Sequence, residues 1–343
     1  MKPLFHPSLV NGPFDDPALY IDFLFEKRAI LFDLGDLHAL PPRKILRISH
    51  VFTSHTHMDH FAGFDRMLRV LLGREKQLHL FGPSGFIDRV EHRLSSYTWN
   101  LVEGYSADFT IIATEFDGAE GLRSSRFRCR NRFSGEAETV KRVEGGTLLD
   151  EETFRIRAVA LDHAIPCLAF TLEERSHVNI MKNRLLERGF QVGPWLTELK
   201  TSVLRGEPDD GMFRVWWRER AGLRELFLPL GMLKEEILRI VPGQKIAYVT
   251  DVVFGDKNAG RIIDLTRGSD CLFIETMFLH EDTERAREKH HLTARQAGML
   301  AREAGAKRIA PFHFSPKYTD QEEALRREAE DAFRGALLHT TKT

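Results

Sequence analysis

Short apolar, β-branched runs alternate with stretches of helical periodicity along most of the chain. The apolar runs predict strands at Leu19–Phe25, Ala29–Leu34, Ile45–Ser54, Gln77–Phe81, Phe109–Phe116, Phe154–Leu161, Cys167–Leu172, Lys245–Thr250, Cys271–Ile274 and Arg308–Phe312. Apolar residues at helical spacing predict helices at Phe61–Leu72, Gly85–Ser95, Ile180–Gly189, Asn258–Arg267, Thr293–Ala304 and Asp320–Ala336. The mixture indicates an α/β protein whose sheets are covered by helices, and we expect one domain, residues 1–343, with insertions.

The first expected insertion, residues 117–147, is polar and dotted with glycine. Four arginines alternate with other residues in it, at Arg126, Arg128, Arg130 and Arg132. If the segment is extended, all four share one face. That face either contacts phosphate or is a solvated surface whose charges pair with the nearby Glu136, Glu138 and Glu144.

The second expected insertion, residues 174–222, carries a short basic helix that leads into Gly193-Pro194-Trp195. Long excursions of this kind often carry function. We interpret this one either as a projecting substrate arm or as a plain surface excursion.

Composition and net charge limit the classes of protein to which this chain can belong. Hydrophobic residues make up 42% and charged residues 29% of the 343-residue chain, as in soluble globular proteins. The formal net charge of −1 gives no global attraction for nucleic acid, so an anionic substrate would need a local patch or a metal. The three cysteines are scattered and the N-terminus has no apolar run, so we expect a cytoplasmic protein without a membrane segment.

The densest candidate chemistry lies in six consecutive residues. His55-Thr-His57-Met-Asp59-His60 follows a strand-like run and precedes a helical pattern. Imidazole nitrogens and carboxylate oxygens bind zinc and similar ions, and a turn between a strand and a helix lets several side chains converge. The alternative, a solvated loop that is rich in histidine by chance, explains neither the spacing nor the context.

One loop cannot supply all the ligands of a two-metal site. Three further candidates each follow a strand-like run: His163 after Leu161, Asp251 after Thr250, and His313 after Phe312. Taken singly, each is better explained as a structural residue. Together with the loop, they form a plausible ligand set.

The loop resembles the H-x-H-x-D-H signature of the metallo-β-lactamase superfamily. The resemblance implies a four-layer αβ/βα sandwich with the site along one edge of two facing sheets. It also implies two groups of metal ligands joined by a bridging carboxylate: His55, His57 and His163 for one ion, Asp59, His60 and His313 for the other, and Asp251 between them. Zinc suits these ligands, and manganese is the alternative because several of them are oxygens. Two such ions activate water at neutral pH, and Asp59 is expected to help orient it.

Three further segments resemble ribonuclease Z. His313-Phe-Ser315-Pro-Lys317-Tyr is similar to the family's H-F-S-x-R-Y, which implies that Ser315 and Lys317 contact the scissile phosphate. His291-Leu-Thr-Ala-Arg-Gln-Ala is similar to H-x-T-x-x-Q-A, which makes His291 the expected general acid. Glu275 precedes it in a segment similar to E-A-T-F and is expected to orient His291.

The resemblance carries expectations about substrate and assembly. The order of the Asp162-His163 segment, a helix and Gly193-Pro194 matches the family, whose Gly-Pro arm grips transfer RNA. The family implies a homodimer in which one subunit's arm serves the other's site. We therefore expect a dinuclear endoribonuclease that cleaves 3′-extended transfer RNA precursors.

Several segments depart from the family pattern. Leu34, Asp36 and His38 stand in a segment where the family has F-D-C-G-E-G-T-Q, and Leu168-Ala-Phe170 replaces G-Y-R. These departures leave the ligand set intact but touch the expected substrate groove. The alternative function is therefore a small-molecule phosphodiesterase of the cyclic nucleotide type on the same metal site. A thioester or lactam hydrolase and an RNA-binding module with a vestigial site fit the motifs less well.

Overall fold

The computed structural model describes residues 4–24, 26–219 and 222–336. The strands are β1 Phe5–Leu9, β2 Leu19–Phe23, β3 Ala29–Phe32, β4 Ile48–Phe52, β5 Gln77–Pro83, β6 Thr110–Phe116, β7 Gly121–Arg128, β8 Thr139–Arg142, β9 Thr147–Asp150, β10 Phe154–Asp162, β11 Pro166–Glu174, β12 His177–Ile180, β13 Met212–Glu219, β14 Gly222–Pro229, β15 Leu238–Val241, β16 Lys245–Val249, β17 Cys271–Glu275 and β18 Ile309–Phe312. The helices are α1 Pro42–Ile45, α2 Met58–Phe61, α3 Phe64–Leu71, α4 Phe86–Ser95, α5 Lys182–Glu187, α6 Trp195–Leu204, α7 Leu230–Ile237, α8 Asp256–Thr266, α9 Thr283–Glu288, α10 Ala294–Glu303 and α11 Glu322–Arg334. None of these helices is long and apolar enough to cross a membrane.

The chain divides into two compact units, residues 1–173 with 244–343, and residues 174–243. The larger unit contains an eight-stranded sheet in the order β1-β2-β3-β4-β5-β6-β7-β8 and a six-stranded sheet in the order β18-β17-β16-β11-β10-β9. Neighbouring strands are parallel from β3 through β6 in the first sheet and from β16 through β18 in the second.

A continuous apolar core joins the two sheets of the larger unit. Phe32 of β3 stacks on Phe170 of β11 with ring centroids 5.3 Å apart. Separate clusters bury α3 and α4 against the outer face of the first sheet, and α8 and α10 against that of the second. The order helix, sheet, sheet, helix is the four-layer αβ/βα sandwich, so the prediction of the fold class is confirmed.

The smaller unit has a core of its own. Two antiparallel ribbons, β12 with β15 and β13 with β14, accompany α5, α6 and α7. The buried side chains of Leu185, Trp195, Val215 and Leu233 come from four different elements of this unit and form one cluster. Residues 174–243 are therefore a folded unit rather than a bare loop.

Each predicted strand overlaps an observed strand, and each predicted helix overlaps an observed helix. The pattern of apolar residues does not predict strands β1, β7, β8, β9 and β12 to β15, nor helices α1, α6, α7 and α9. Several of these elements lack a clear apolar pattern: every residue of β8 is exposed, for example. Part of the segment 117–147 is thus built into the first sheet as β7 and β8.

The common face that a fully extended segment would give the four arginines is not formed. Strand β7 ends at Arg128, and a 3₁₀ turn follows, which takes Arg130 and Arg132 off the strand. Three of the four arginines face carboxylates: Arg126 lies 4.0 Å from Glu136, Arg128 2.6 Å from Asp108 and Arg132 2.8 Å from Glu103. These contacts favour a solvated, charge-paired surface over a phosphate-contacting one.

Helix α10 packs closely against α11 because Gly298 has no side chain. A Cβ at position 298 would lie 2.1 Å from the carbonyl oxygen of Ala329 and 2.7 Å from Cβ of Ala332. We therefore expect Gly298→Ala to lower the free energy of unfolding by about 1–3 kcal/mol, because the helices must separate. Urea unfolding followed by circular dichroism measures the change.

Gly260→Ala in α8 is the matched control. Apart from its chain neighbours and the backbone of its own helix, no described atom lies within 4 Å of the added Cβ. Alanine is favoured over glycine in a helix interior by ~1 kcal/mol, so this variant should be slightly more stable than the parent. An equal response of the two variants would contradict the close approach of α10 and α11.

Candidate metal centre

Three candidate residues of the larger unit lie at the carboxyl ends of parallel strands. Strands β16, β17 and β18 run parallel, so Asp251, Glu275 and His313 emerge at one edge of the second sheet. Asp251 and His313 have positive φ angles of 45° and 58°, a conformation that non-glycine residues adopt rarely. Strained backbone of this kind is typical of functional sites, where the surrounding structure holds it in place.

One group of side chains gathers around the first half of the His55 motif. His55, His57, His163 and Asp251 each offer a ligand atom, and these atoms lie within 4.8 Å of one another. His55 is 1% exposed, while His57 faces solvent. The side chains come from the loop after β4, the end of β10 and the end of β16, so the fold brings together residues from distant parts of the chain.

A second group contains the rest of the motif. Ligand atoms of Asp59, His60 and His313 also lie within 4.8 Å of one another. Oδ2 of Asp59 is 3.3 Å from Nε2 of His60 and 3.3 Å from Nε2 of His313. Met58 and Asp59 begin the short helix α2, which turns Asp59 and His60 toward this group.

The carboxylate of Asp251 lies between the two groups. Its Oδ2 atom is 3.6 Å from Nε2 of His55 and 3.4 Å from Nε2 of His163. Its Oδ1 atom is 3.4 Å from Nε2 of His60 and 2.9 Å from Nδ1 of His313. Each oxygen therefore faces one group, which is the arrangement that a bridging ligand requires.

Hydrogen bonds fix the ring orientation of the buried histidines. Nδ1 of His163 donates to the carbonyl oxygen of His290 at 2.8 Å, and Nδ1 of His60 is 2.8 Å from Oδ2 of Asp33. Nδ1 of His55 lies 3.0 Å from the hydroxyl of Ser54. With Nδ1 occupied, the other ring nitrogen is left to face the centre of the site, as in metal-binding histidines.

Two of these inward nitrogens show whether the donor atoms of the site fit a cation. Among the described residues, Nε2 of His55 and Nε2 of His60 are buried and lack a hydrogen-bond partner. Buried polar atoms are almost always satisfied, so an orphaned pair aimed at the same carboxylate calls for an explanation. A divalent ion held by imidazole and carboxylate supplies one, and the donor set suits it.

Burial and neighbouring charges act in opposite directions on the ionisable side chains of the site. Burial disfavours the charged form of His60, but the carboxylates of Asp251 and Asp33 outweigh burial and raise its pKa well above the usual value. Burial likewise opposes charge on His313, and Asp251 nevertheless raises its pKa to about 9. Burial alone would raise the pKa of Asp251, yet His313 and His60 hold it well below the usual range. The buried carboxylates of Asp251 and Asp33 thus stabilise positive charge on the groups around them.

Asp33 is a site residue to which the sequence analysis gave no role. It is fully buried directly after β3, with a φ angle of 60°. Besides His60, its carboxylate accepts hydrogen bonds from the amide of Ser54 at 2.6 Å, the hydroxyl of Ser54 at 2.9 Å and the hydroxyl of Tyr248 at 2.8 Å. Asp33 therefore anchors His60 and the loop that carries the motif. The available signal was a carboxylate directly after an apolar strand.

The predicted pair of His291 and Glu275 is formed beside this site. Nδ1 of His291 lies 2.7 Å from Oε2 of Glu275. The other oxygen of Glu275 accepts hydrogen bonds from the amides of Val252 at 2.8 Å and Leu292 at 3.1 Å. Ligand atoms of both residues also lie within 4.8 Å of those of Asp251 and His313. Since both oxygens of Glu275 are engaged, the arrangement suits orientation of His291 better than metal binding.

The expected substrate contacts have other partners here. Ser315 is buried, and its hydroxyl accepts a hydrogen bond from the amide of Lys317 at 3.4 Å, where it caps a 3₁₀ turn. The ammonium group of Lys317 pairs with the carboxylate of Asp282. Gly193 and Pro194 belong to the smaller unit and directly precede α6.

Comparisons with known proteins agree with this fold. A family model described as a β-lactamase superfamily domain matches residues 237–314. The metallo-β-lactamase fold protein YhfI from Bacillus subtilis is 15% identical and has a TM-score of 0.54, covering 95% of this chain and 92% of that chain, so it shares the fold.

Curated relatives are similar over almost the full length. A ribonuclease Z of Bacteroides fragilis is 25% identical over 298 residues, which cover 86% of this chain and 80% of the relative. A ribonuclease Z of Deinococcus radiodurans is 32% identical over 326 residues. Because that second alignment extends over 93% of each chain, the chain belongs to the ribonuclease Z family.

Proposed function

We propose that this protein is a metal-dependent endoribonuclease that cleaves 3′-extended transfer RNA precursors. The observation that carries the proposal is the placement of the Asp251 carboxylate between two groups of inward-facing ligands, with the His291–Glu275 pair beside them. Membership of the ribonuclease Z family supports the choice of substrate.

The proposed ligands divide as the two observed groups do. His55, His57 and His163 would hold one divalent ion and Asp59, His60 and His313 the other, with Asp251 shared between them. We propose zinc, because imidazole dominates the set, with manganese as the alternative. When bound, the two ions would stabilise charge on the phosphate and make water acidic enough to ionise near neutral pH.

The protein's own groups position and move protons. Burial opposes protonation of His291, but the Glu275 carboxylate outweighs it and raises the pKa of His291. An imidazole that holds its proton near neutral pH is suited to protonate the leaving oxygen. Asp59 lies between His60 and His313, where its carboxylate would also orient the attacking water.

Substrate contacts and assembly complete the proposal. Ser315 and Lys317 would contact the scissile phosphate, with Lys317 acting as a point charge once it leaves Asp282. Gly193 and Pro194 would belong to an arm that grips the RNA bound at a partner subunit, so we propose a homodimer. A cytoplasmic location fits the three buried, unpaired cysteines.

Cleavage of a precursor transfer RNA tests the proposed function. The metal-loaded protein is incubated with a 3′-extended precursor, and the product ends are mapped. We expect a single cut after the discriminator nucleotide, and no cut with Asp59→Ala. Failure to cut the precursor by protein that still hydrolyses bis(p-nitrophenyl) phosphate would contradict the proposal and favour a small-molecule phosphodiesterase.

Substitution of His291 tests the proposed general acid. Because removal of a positioned acid costs typically 10² to 10⁴ in rate, we expect His291→Ala to lower kcat for the precursor by about that factor. The metal content should stay that of the parent, since His291 lies outside the proposed ligand groups.

Glu275→Gln keeps the shape of the side chain but removes its charge, and it should give a smaller loss of kcat. Loss of metal from His291→Ala would show that this residue is a ligand and would overturn its assignment as the acid.

A further inference from the structure

A cavity in the larger unit is lined by side chains outside the ligand groups. It has a volume of about 350 Å³ and lies along α10 and the end of α11. This volume is at the lower end of the roughly 300–1,000 Å³ typical of small-molecule sites. Nothing in the proposed chemistry uses this cavity.

One face of α10 gives the cavity its charge. Arg295, Met299 and Arg302 line it, and their spacing of four and three residues puts them on the same side of the helix. Nε of Arg295 is buried and has no hydrogen-bond partner among the described residues. Two guanidinium groups therefore border the same space, one of them with an unsatisfied donor.

Among the residues that the structure describes, no carboxylate lines the cavity. A neighbouring acid, Glu328, accepts hydrogen bonds from the amides of His280 at 2.9 Å and Arg295 at 3.1 Å. That oxygen of Glu328 is therefore occupied by backbone amides. The two guanidinium groups have no carboxylate beside them among the described lining residues. The cavity therefore suits an anion, because guanidinium groups bind phosphate well.

The cavity also has an aromatic wall. Phe254 lines it and is 41% exposed, so its ring can be reached from solvent. An exposed ring beside guanidinium groups suits a planar base together with a phosphate, because bases stack on aromatic side chains.

Short connections link the cavity to the proposed reaction site. Phe254 comes three residues after Asp251. On the other side, Nδ1 of His280 is 3.1 Å from the hydroxyl of Thr293, which caps α10 two residues after His291. The cavity thus adjoins the segments that carry the shared carboxylate and the proposed acid.

We propose that this cavity binds one unpaired nucleotide of the RNA substrate that flanks the scissile phosphate. Its base would stack on Phe254, and its phosphate would pair with Arg295 and Arg302. This inference rests on the proposed function, because it assumes that the substrate is RNA.

The test compares two substrates in Phe254→Ala and Arg302→Ala. Both variants should raise KM for the precursor RNA about tenfold and leave kcat/KM for bis(p-nitrophenyl) phosphate within twofold of the parent. Leu101→Ala and Arg267→Ala, exposed residues that do not line the cavity, are the matched controls and should change neither substrate.

Two outcomes of this comparison would overturn the inference. An unchanged KM for the RNA means that the cavity does not contact it. A parallel loss on both substrates means that these residues only support the fold.

Direct binding separates this inference from the proposed function. Titration calorimetry with adenosine 5′-monophosphate should show binding to the parent protein that weakens at least fivefold in Phe254→Ala and in Arg302→Ala. If the parent cuts no precursor yet shows this pattern, the endoribonuclease proposal fails while the nucleotide site stands. Absence of binding, or binding that the two variants leave unchanged, would overturn the site.

Discussion

A carboxylate buried among histidines is the constraint on which the rest of this structure depends. Asp251 is 2% exposed, and taking a carboxylate out of water costs several kcal/mol unless opposite charge and hydrogen bonds compensate. Here the compensation comes from imidazoles on both sides and from the hydroxyl of Thr250, which donates to Oδ1 at 2.8 Å. Divalent ions between the same groups would complete it, and the orphaned nitrogens of His55 and His60 face where such ions would bind.

The two packed sheets hold the residues around Asp251 in place. Tyr248 belongs to the second sheet and Asp33 follows a strand of the first, so their hydrogen bond joins the two sheets under the site. Asp33 in turn holds His60 and Ser54. The positive φ angles of Asp33, Asp251 and His313 show that the ends of three strands bend in a costly conformation to bring these side chains together. The packed core beneath them stabilises the fold enough to hold this conformation.

The parts of the site that have a local signature in the chain could be predicted from the sequence. The motif from His55 to His60 is contiguous, and Asp251 and His313 follow apolar runs that could be recognised as strands. Asp33 also follows such a run, but a carboxylate at the end of a strand looks the same in sequence whether it is buried or solvated. Its role depends on Tyr248, which is 215 positions away in the chain. For the arginine segment, alternation left open both a continuous strand and a charge-paired surface, and only the structure shows that the chain turns after Arg128.

An anomalous-scattering map of the crystallised protein, recorded across the transition-metal absorption edges, tests the central claim most directly. We expect two peaks in each chain, one among His55, His57 and His163 and the other among Asp59, His60 and His313, with Asp251 between them. A single peak, or a peak between Glu275 and His291 in place of either, would contradict it.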